Sequence, residues 1–452
     1  MSELTGQSIA WLSSAYDARR VSPVEVVQAT LDRITQLDGE LLSYIDVLTD
    51  SALDEARRAE RELFAGRRRG PIDGIPVALK DLIDVGGVRT TGGSRSHRDV
   101  IASADAEVVE RLRAGGAVIV GKNNLYEFGL GLPMPGDWPV PARNPWDLTR
   151  IPGGSSSGSA VAVAAGLCAG SYGTDTGGSI RGPASYCSVV GMKPSYDLIS
   201  RRGVKALSWT LDHVGPLGRT VEDVAALLAG ASGRPVEPGD SIEGLRVGVP
   251  EALIAQTDME PAVAAAFEQA IEVIRSLGAE LRTIELPELA LTEATLLAII
   301  GSEGLAVHLP ALADRPEQFG RNARERLSAG LAYTGVDYVN ALRMRDIISA
   351  RLDELYTTVD VVVSPVVLQV APTKVDFERS PPHRTPFTGI HNIVGGAALS
   401  VPAGFDEAKM PIGIQLAAPH CGDALVLTAA RAYERATEWH ERRPADPPTS
   451  GS

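Results

Sequence analysis

Lysine is the scarcest charged residue in this chain of 452, with six copies, at positions 80, 122, 193, 205, 374 and 409, in a Lys+Arg total of 43. A chain that relies so heavily on arginine for surface charge makes each retained lysine worth a chemical reading. Cysteine occurs only at 168, 187 and 421, which excludes a disulfide framework and suits a reducing, cytoplasmic compartment. Basic residues trail acidic ones, 43 to 57, for a formal charge of −14. That speaks against a nucleic-acid surface, which needs clustered cations, and the short run Arg67-Arg68-Arg69 reads as a solvated turn. Long apolar stretches are missing too. The longest run, Ala160 to Ala169, is too short to span a bilayer, and the opening MSELTGQS lacks the regions of a signal peptide; no membrane association is expected. The histidines (His97, His213, His308, His383, His391, His420 and His440) are scattered, with no HxxxH and no CxxC spacing. They read as surface or packing residues, and neither metal nor cofactor is expected.

What the chain does have is a glycine- and serine-rich block from Ile151 to Gly191. It holds two Gly-Gly-Ser turns, Gly153-Gly154-Ser155 and Gly177-Gly178-Ser179, and the second serine lies 24 positions after the first. An Ala/Val-rich helix is expected between them. Glycine permits sharp positive-φ turns and lets a ligand approach the backbone closely. A serine at such an apex is exposed, with free N–H groups beside it, as an acyl-transfer nucleophile requires. One cluster alone would be loop chemistry, with Ser155 or Ser159 capping the next helix. Two clusters flanking one helix, followed by Ile180-Arg181, point to a site.

Upstream, Gly74-Ile75-Pro76-Val77-Ala78-Leu79-Lys80-Asp81 reads as a short buried strand ending at Lys80. Arginine could not replace a basic lysine there, because guanidinium stays protonated while a buried amine can lose its proton.

Together the two motifs resemble the amidase signature family, the Gly/Ser block over its whole length. The resemblance implies a Ser–cis-Ser–Lys triad. Ser179 would be the nucleophile, and Ser155, following a cis peptide from Gly154, would relay protons between Ser179 and a neutral Lys80. Keeping a lysine amine neutral at pH 7 costs roughly 4–5 kcal/mol, and burial with nearby hydrogen-bond donors is the expected source. Backbone N–H groups of Thr176, Gly177, Gly178 and Ser179 would form the oxyanion hole. Asp175 and Arg181 would hold that turn through ion pairing or backbone hydrogen bonds. The implied reaction is hydrolysis of a linear carbon–nitrogen bond, in an amide, anilide, ureido group or acyl hydrazide, through an acyl-Ser179 intermediate. The leaving nitrogen would be protonated through Ser155.

The resemblance runs along nearly the whole chain. Ser22-Pro23-Val24-Glu25 begins an amphipathic helix with a capping box. Gly121-Lys122-Asn123-Asn124 with Glu127-Phe128, Asn144-Pro145-Trp146-Asp147, Leu211 to Pro216, Ala398 to Gly404 and Pro411 to Leu416 are similar to further family segments. Residues 132–143 and 366–395 depart from the pattern. Both are proline-rich and are expected to border the substrate. Tyr126, Phe128, Trp138 and Trp209 are candidate pocket walls.

Strand-like runs at Ala117 to Val120, Leu245 to Val249 and Leu281 to Leu286 alternate with helices such as Pro261 to Leu277. This predicts an α/β fold, a mixed central sheet covered by helices on both faces. We expect one domain over 1–452, a signature core at about 70–220, a surface crossing at 230–243 and a frayed tail at 442–452. The divergent loops favour a free-standing hydrolase of a small-molecule amide or hydrazide, with a homodimer its ordinary assembly. The nearest rival is the amidase component of a tRNA-dependent amidotransferase, which passes ammonia to a partner subunit. A non-catalytic anion- or nucleotide-binding protein is the remote rival. Against it, GGSSSGSA lacks the Gly-Lys-Ser/Thr ending of a phosphate loop, and no triad residue is missing.

Overall fold

The structure, a computed structural model, describes residues 4–134, 136–380 and 386–448. The capping box forms as expected: the Ser22 hydroxyl accepts from the Glu25 N–H (3.2 Å) and the Glu25 carboxylate accepts from the Ser22 N–H (2.8 Å). It starts the helix Pro23–Leu41, whose Val27, Leu31 and Ile34 are buried.

Among the described residues, eleven strands form one sheet: β1 (Tyr44–Val47), β2 (Pro76–Lys80), β3 (Val118–Asn123), β4 (Gly170–Asp175), β5 (Val190–Lys193), β6 (His213–Gly218), β7 (Arg246–Val249), β8 (Glu280–Thr283), β9 (Val361–Pro365), β10 (Ala398–Phe405) and β11 (Pro411–Ala417). Their order is β1-β3-β2-β4-β6-β5-β10-β11-β9-β7-β8. β3, β2 and β4 are mutually parallel, as are β9, β7 and β8, and the remaining pairs are antiparallel.

Side chains alternate across a strand, and β2 shows the consequence. Val77 and Leu79 pack into a cluster with the helices Ile9–Asp17, Glu107–Ala114, Val221–Ser232 and Asp423–Arg435. Ala78 joins the opposite cluster, made by Pro23–Leu41, Thr49–Phe64, Ser157–Ala164 and Arg181–Cys187. Lys80, two residues on from Ala78, therefore lies on the face that carries the Gly/Ser block. The predicted α/β fold, with both faces of a mixed sheet covered, is what the chain adopts.

A third cluster packs Leu289–Asp314, Gly335–Thr358 and Pro386–Ile393 beside β9. Leu289–Asp314 is, among the described residues, the one helix long and apolar enough to cross a membrane by length and composition. It buries Glu303 and His308 together with its apolar face in this protein.

Several boundaries differ from expectation, the strand expected over Ala117 to Val120 being Val118–Asn123. The strand expected over Leu281 to Leu286 is Glu280–Thr283, because Ile284 and Leu286 leave the sheet to pack into the third cluster. The tail is not frayed throughout: Asp446 takes both ends of the buried Arg33 guanidinium, at 2.6 and 3.1 Å. Residues 449–452 lie outside the described residues. All three cysteines are free, Cys168 and Cys187 buried and Cys421 exposed.

Candidate active site

β2 and β4 run parallel, with Leu79 beside Tyr172, so their C-terminal ends, Lys80 and Asp175, open on one edge of the sheet. The helix Ser157–Ala164 starts over that edge and brings the first Gly-Gly-Ser turn with it. The Gly154–Ser155 peptide is cis. Tyr126 lies against this turn so closely that a Cβ on Gly154 would sit 2.2 Å from its ring.

Lys80 is fully buried. Its Nζ donates to the hydroxyls of Ser155 (2.7 Å), Thr174 (2.8 Å) and Ser156 (3.1 Å). Ser156 in turn donates to the Thr174 carbonyl at 3.1 Å. Burial pulls the Lys80 amine down to about 7, against the opposing pull of Asp175 and Asp212. The amine is thus poised to exchange a proton with Ser155 at neutral pH.

The second turn follows β4 directly. Asp175 accepts from the N–H groups of Gly178 (2.7 Å) and Ile180 (3.0 Å). Arg181 grips the same carboxylate through Nε and a terminal nitrogen, at 3.1 and 2.9 Å. Burial alone would raise the Asp175 carboxyl, but Arg181 and the hydrogen bonds to Asn392 and Ile180 outweigh it and hold it well below the usual carboxylate range. Arg181 is itself fully buried and reaches Gln415 (2.6 Å), the Thr388 carbonyl (2.9 Å) and Asn392 (2.7 Å). Thr176 donates to Asp212 at 2.6 Å, and burial lifts that carboxyl to about 6.

Above the turns lies a cleft of about 680 Å³ to which Ser155, Ser179 and the Thr176–Ser179 backbone all contribute wall. Its sides include Tyr126, Ile151, Phe377, Glu293 and Arg326. Among the described residues of the two divergent segments, 366–395 supplies Val366 to Gln369, Phe377, Ser380 and Thr388, whereas 132–143 supplies only Leu132. Residues 381–385, with His383, lie outside the described residues.

Several expectations need correction. The Gly178 N–H is spent on Asp175, which removes it from the oxyanion set. Among the described residues the N–H groups of Thr176, Gly177 and Ser179 have no acceptor. Of the four aromatic candidates only Tyr126 lines the cleft. Phe128 is 1% exposed and packs among His97, His308 and Phe319. Trp138 lies under Arg98 and precedes a cis proline. Trp209 borders a separate cavity of about 340 Å³ with Arg201, Asp212 and His213. Each is an aromatic near a motif in sequence, and only the fold decides which way it faces. Thr174, Ser156, Thr388, Asn392 and Gln415 escaped the sequence reading. The first two sit inside the signature block and could have been weighed as lysine partners; the other three carry no local pattern.

This combination of sheet, turns and buried lysine is that of the amidases: the Amidase family model matches residues 25–427, and the chain belongs to that family, the amidase signature enzymes. It is accordingly an amidohydrolase acting on carbon–nitrogen amide bonds. Among its relatives, the Glutamyl-tRNA(Gln) amidotransferase A-subunit of Geobacter sp. (strain M21) is 36% identical over 98% of this chain and 99% of its own length. A crystal structure of an amidase superposes with a TM-score of 0.88 at 32% identity, covering 95% of this chain and 99% of that one. The same amidotransferase component from Thermotoga maritima gives 0.79 at 30% identity, covering 96% of each chain.

Proposed function

We propose that Ser179 attacks the carbonyl of a carboxamide, with Ser155 as proton relay and Lys80 as the ultimate base. The observation that carries this reading is the 2.7 Å contact from the buried Lys80 amine to Ser155, at the floor of a cleft that Ser155 and Ser179 share. Ser179 gives its proton to Ser155 as that hydroxyl passes its own to neutral Lys80. The tetrahedral oxyanion is met by the unspent N–H groups of Thr176, Gly177 and Ser179, and each such donor is worth about 3 kcal/mol in a transition state. The proton then returns through Ser155 to the leaving nitrogen, without which an amine departs poorly. Water resolves the acyl-enzyme by the reverse path.

For the substrate, the curated relatives favour the amidotransferase reading over the free-standing hydrolase expected from the divergent loops. In that reading the chain releases ammonia from glutamine and works beside a partner subunit. Arg326, with Asp258 and Glu293, gives the cleft charges of both signs, which suits an amino-acid amide. The free-standing reading, with a homodimer as its assembly, keeps support from the higher TM-score to an amidase, 0.88 against 0.79.

The test is hydrolysis of glutamine, simple amides, anilides and acyl hydrazides by wild type and by Ser179→Ala, with intact-mass detection of the acyl-enzyme. Turnover by wild type alone supports Ser179 as nucleophile, and equal turnover by both proteins removes it. Glutamine hydrolysis that appears only with a co-purifying subunit supports the amidotransferase reading, whereas full activity of the isolated chain on another amide supports the free-standing one.

A further inference from the structure

We propose that the helix Pro386–Ile393 sets the geometry of the oxyanion turn from outside the signature block, with Thr388 and Asn392 as positioning residues. The inference rests on the reading of Ser179 as nucleophile and adds residues more than 200 positions away from it.

A single peptide unit, the one joining Gly177 to Gly178, is held at both of its polar ends. Its carbonyl accepts from the Thr388 hydroxyl at 3.0 Å. Its N–H donates to Asp175 at 2.7 Å. A peptide is planar, so fixing both of its polar ends fixes the rotation of the whole unit. The N–H groups on either side, of Gly177 and Ser179, have no acceptor among the described residues. Gly178 has φ +116°, a region open to glycine. Glycine tolerates that conformation but does not enforce it, so something outside the turn must.

Asn392, one helical turn beyond Thr388, holds the other end of the same arrangement. It is fully buried. Its amide nitrogen donates to both the backbone carbonyl and the carboxylate of Asp175, each at 2.9 Å, and its oxygen accepts from Arg181 at 2.7 Å. One helix therefore touches the Gly177 carbonyl directly and orients the carboxylate that takes the Gly178 N–H. Thr388 also reaches the cleft wall, and a Cβ on Gly178 would lie 2.7 Å from its Oγ1. The fit leaves no slack on that side of the turn.

The contact predicts a defect in transition-state stabilisation rather than in substrate binding. On the best substrate of the amide panel proposed above, Thr388→Val keeps the side-chain shape but removes the donor, and kcat is expected to fall about 10- to 100-fold with KM changed less than about threefold. Thr388→Ser, which restores the hydroxyl, is expected to recover most of that loss, and the thermal midpoint of both variants should stay close to wild type. A wild-type kcat in Thr388→Val, or a loss that appears in KM, or one that Thr388→Ser does not rescue, overturns the proposal. Ser179→Ala, run in parallel, separates the two layers. If it is inactive while Thr388→Val is unimpaired, only the clamp is wrong; if it keeps activity, the underlying reading of Ser179 is wrong.

Discussion

Among the buried lysines, environment alone separates three roles. Lys122 pairs with Asp81 at 2.7 Å with both side chains buried, so its charge is compensated. Lys193 donates to the carbonyls of Pro194 and Gly396, and burial takes it down to about 7. Lys80 is depressed to the same value but faces hydroxyls that can exchange protons with it. Because Lys80, as the proposed base, must be neutral, kcat/KM is expected to rise with pH through about 7 and then level off, as a pH–rate profile will read. Stability carries the matching cost. Between about 7 and the usual 10.5 the unfolded chain holds a proton that folded Lys80 has released, so stability rises with pH across that window. Below it the fold must bury an ammonium. Lys80→Met is therefore expected to be inactive yet more stable than wild type at pH 6, an advantage that fades toward high pH; urea titrations at several pH values check it. Both motifs of the proposed triad were legible in sequence because each is contiguous. The hydroxyl of Thr174 was not, since nothing in its own neighbourhood says that β4 lies beside β2.

At the scale of elements, the site depends on how tightly one short helix seats. Gly158, in Ser157–Ala164, donates its N–H to the Asn124 carbonyl at 2.9 Å. A Cβ there would meet the Ser43 carbonyl oxygen at 2.3 Å and the Asn124 nitrogen at 2.6 Å. Those neighbours are backbone, which cannot swing aside, so Gly158→Ala is expected to cost about 1–3 kcal/mol. Activity should fall with it, because Ser155 stands just before that helix. Ser22→Ala makes the contrast. It breaks a capping box far from the cleft and is expected to cost about 1 kcal/mol with kcat unchanged; thermal melts and initial rates on both variants decide. The Ser22 box could be read from four adjacent residues. The crowding at Gly158 could not, because Ser43 and Asn124 reach it only through the pairing of β1 with β3.

Across the whole molecule, a buried carboxylate joins segments far apart in the chain. Both oxygens of Glu434, near the end of Asp423–Arg435, accept from the Val221 N–H at the start of Val221–Ser232, at 2.9 and 3.1 Å. Burial raises Glu434 to about 8 and neighbouring Asp223 to about 6. A folded-state acid with a raised pKa keeps a proton that the unfolded chain gives up, so this joint loses stability as pH climbs from about 4.5 to about 8. Glu434→Gln still offers an acceptor to Val221. It is expected to melt higher than wild type at pH 8 and to flatten the pH dependence of the thermal midpoint; an unchanged slope would count against it. By itself, the sequence determined the family and the α/β alternation, and it picked out Lys80, Ser155 and Ser179 as the proposed triad, because local spacing and strand periodicity are properties of neighbouring residues. Only the tertiary structure decided that Gly178 spends its N–H on Asp175, that Phe128, Trp138 and Trp209 turn away from the cleft, and that Thr388, Asn392 and Gln415 surround the Thr176–Ser179 turn. The contacts of Thr388, Asn392 and Gln415 join elements more than 200 residues apart, and the direction of the aromatic side chains is set by packing rather than by any residue beside them.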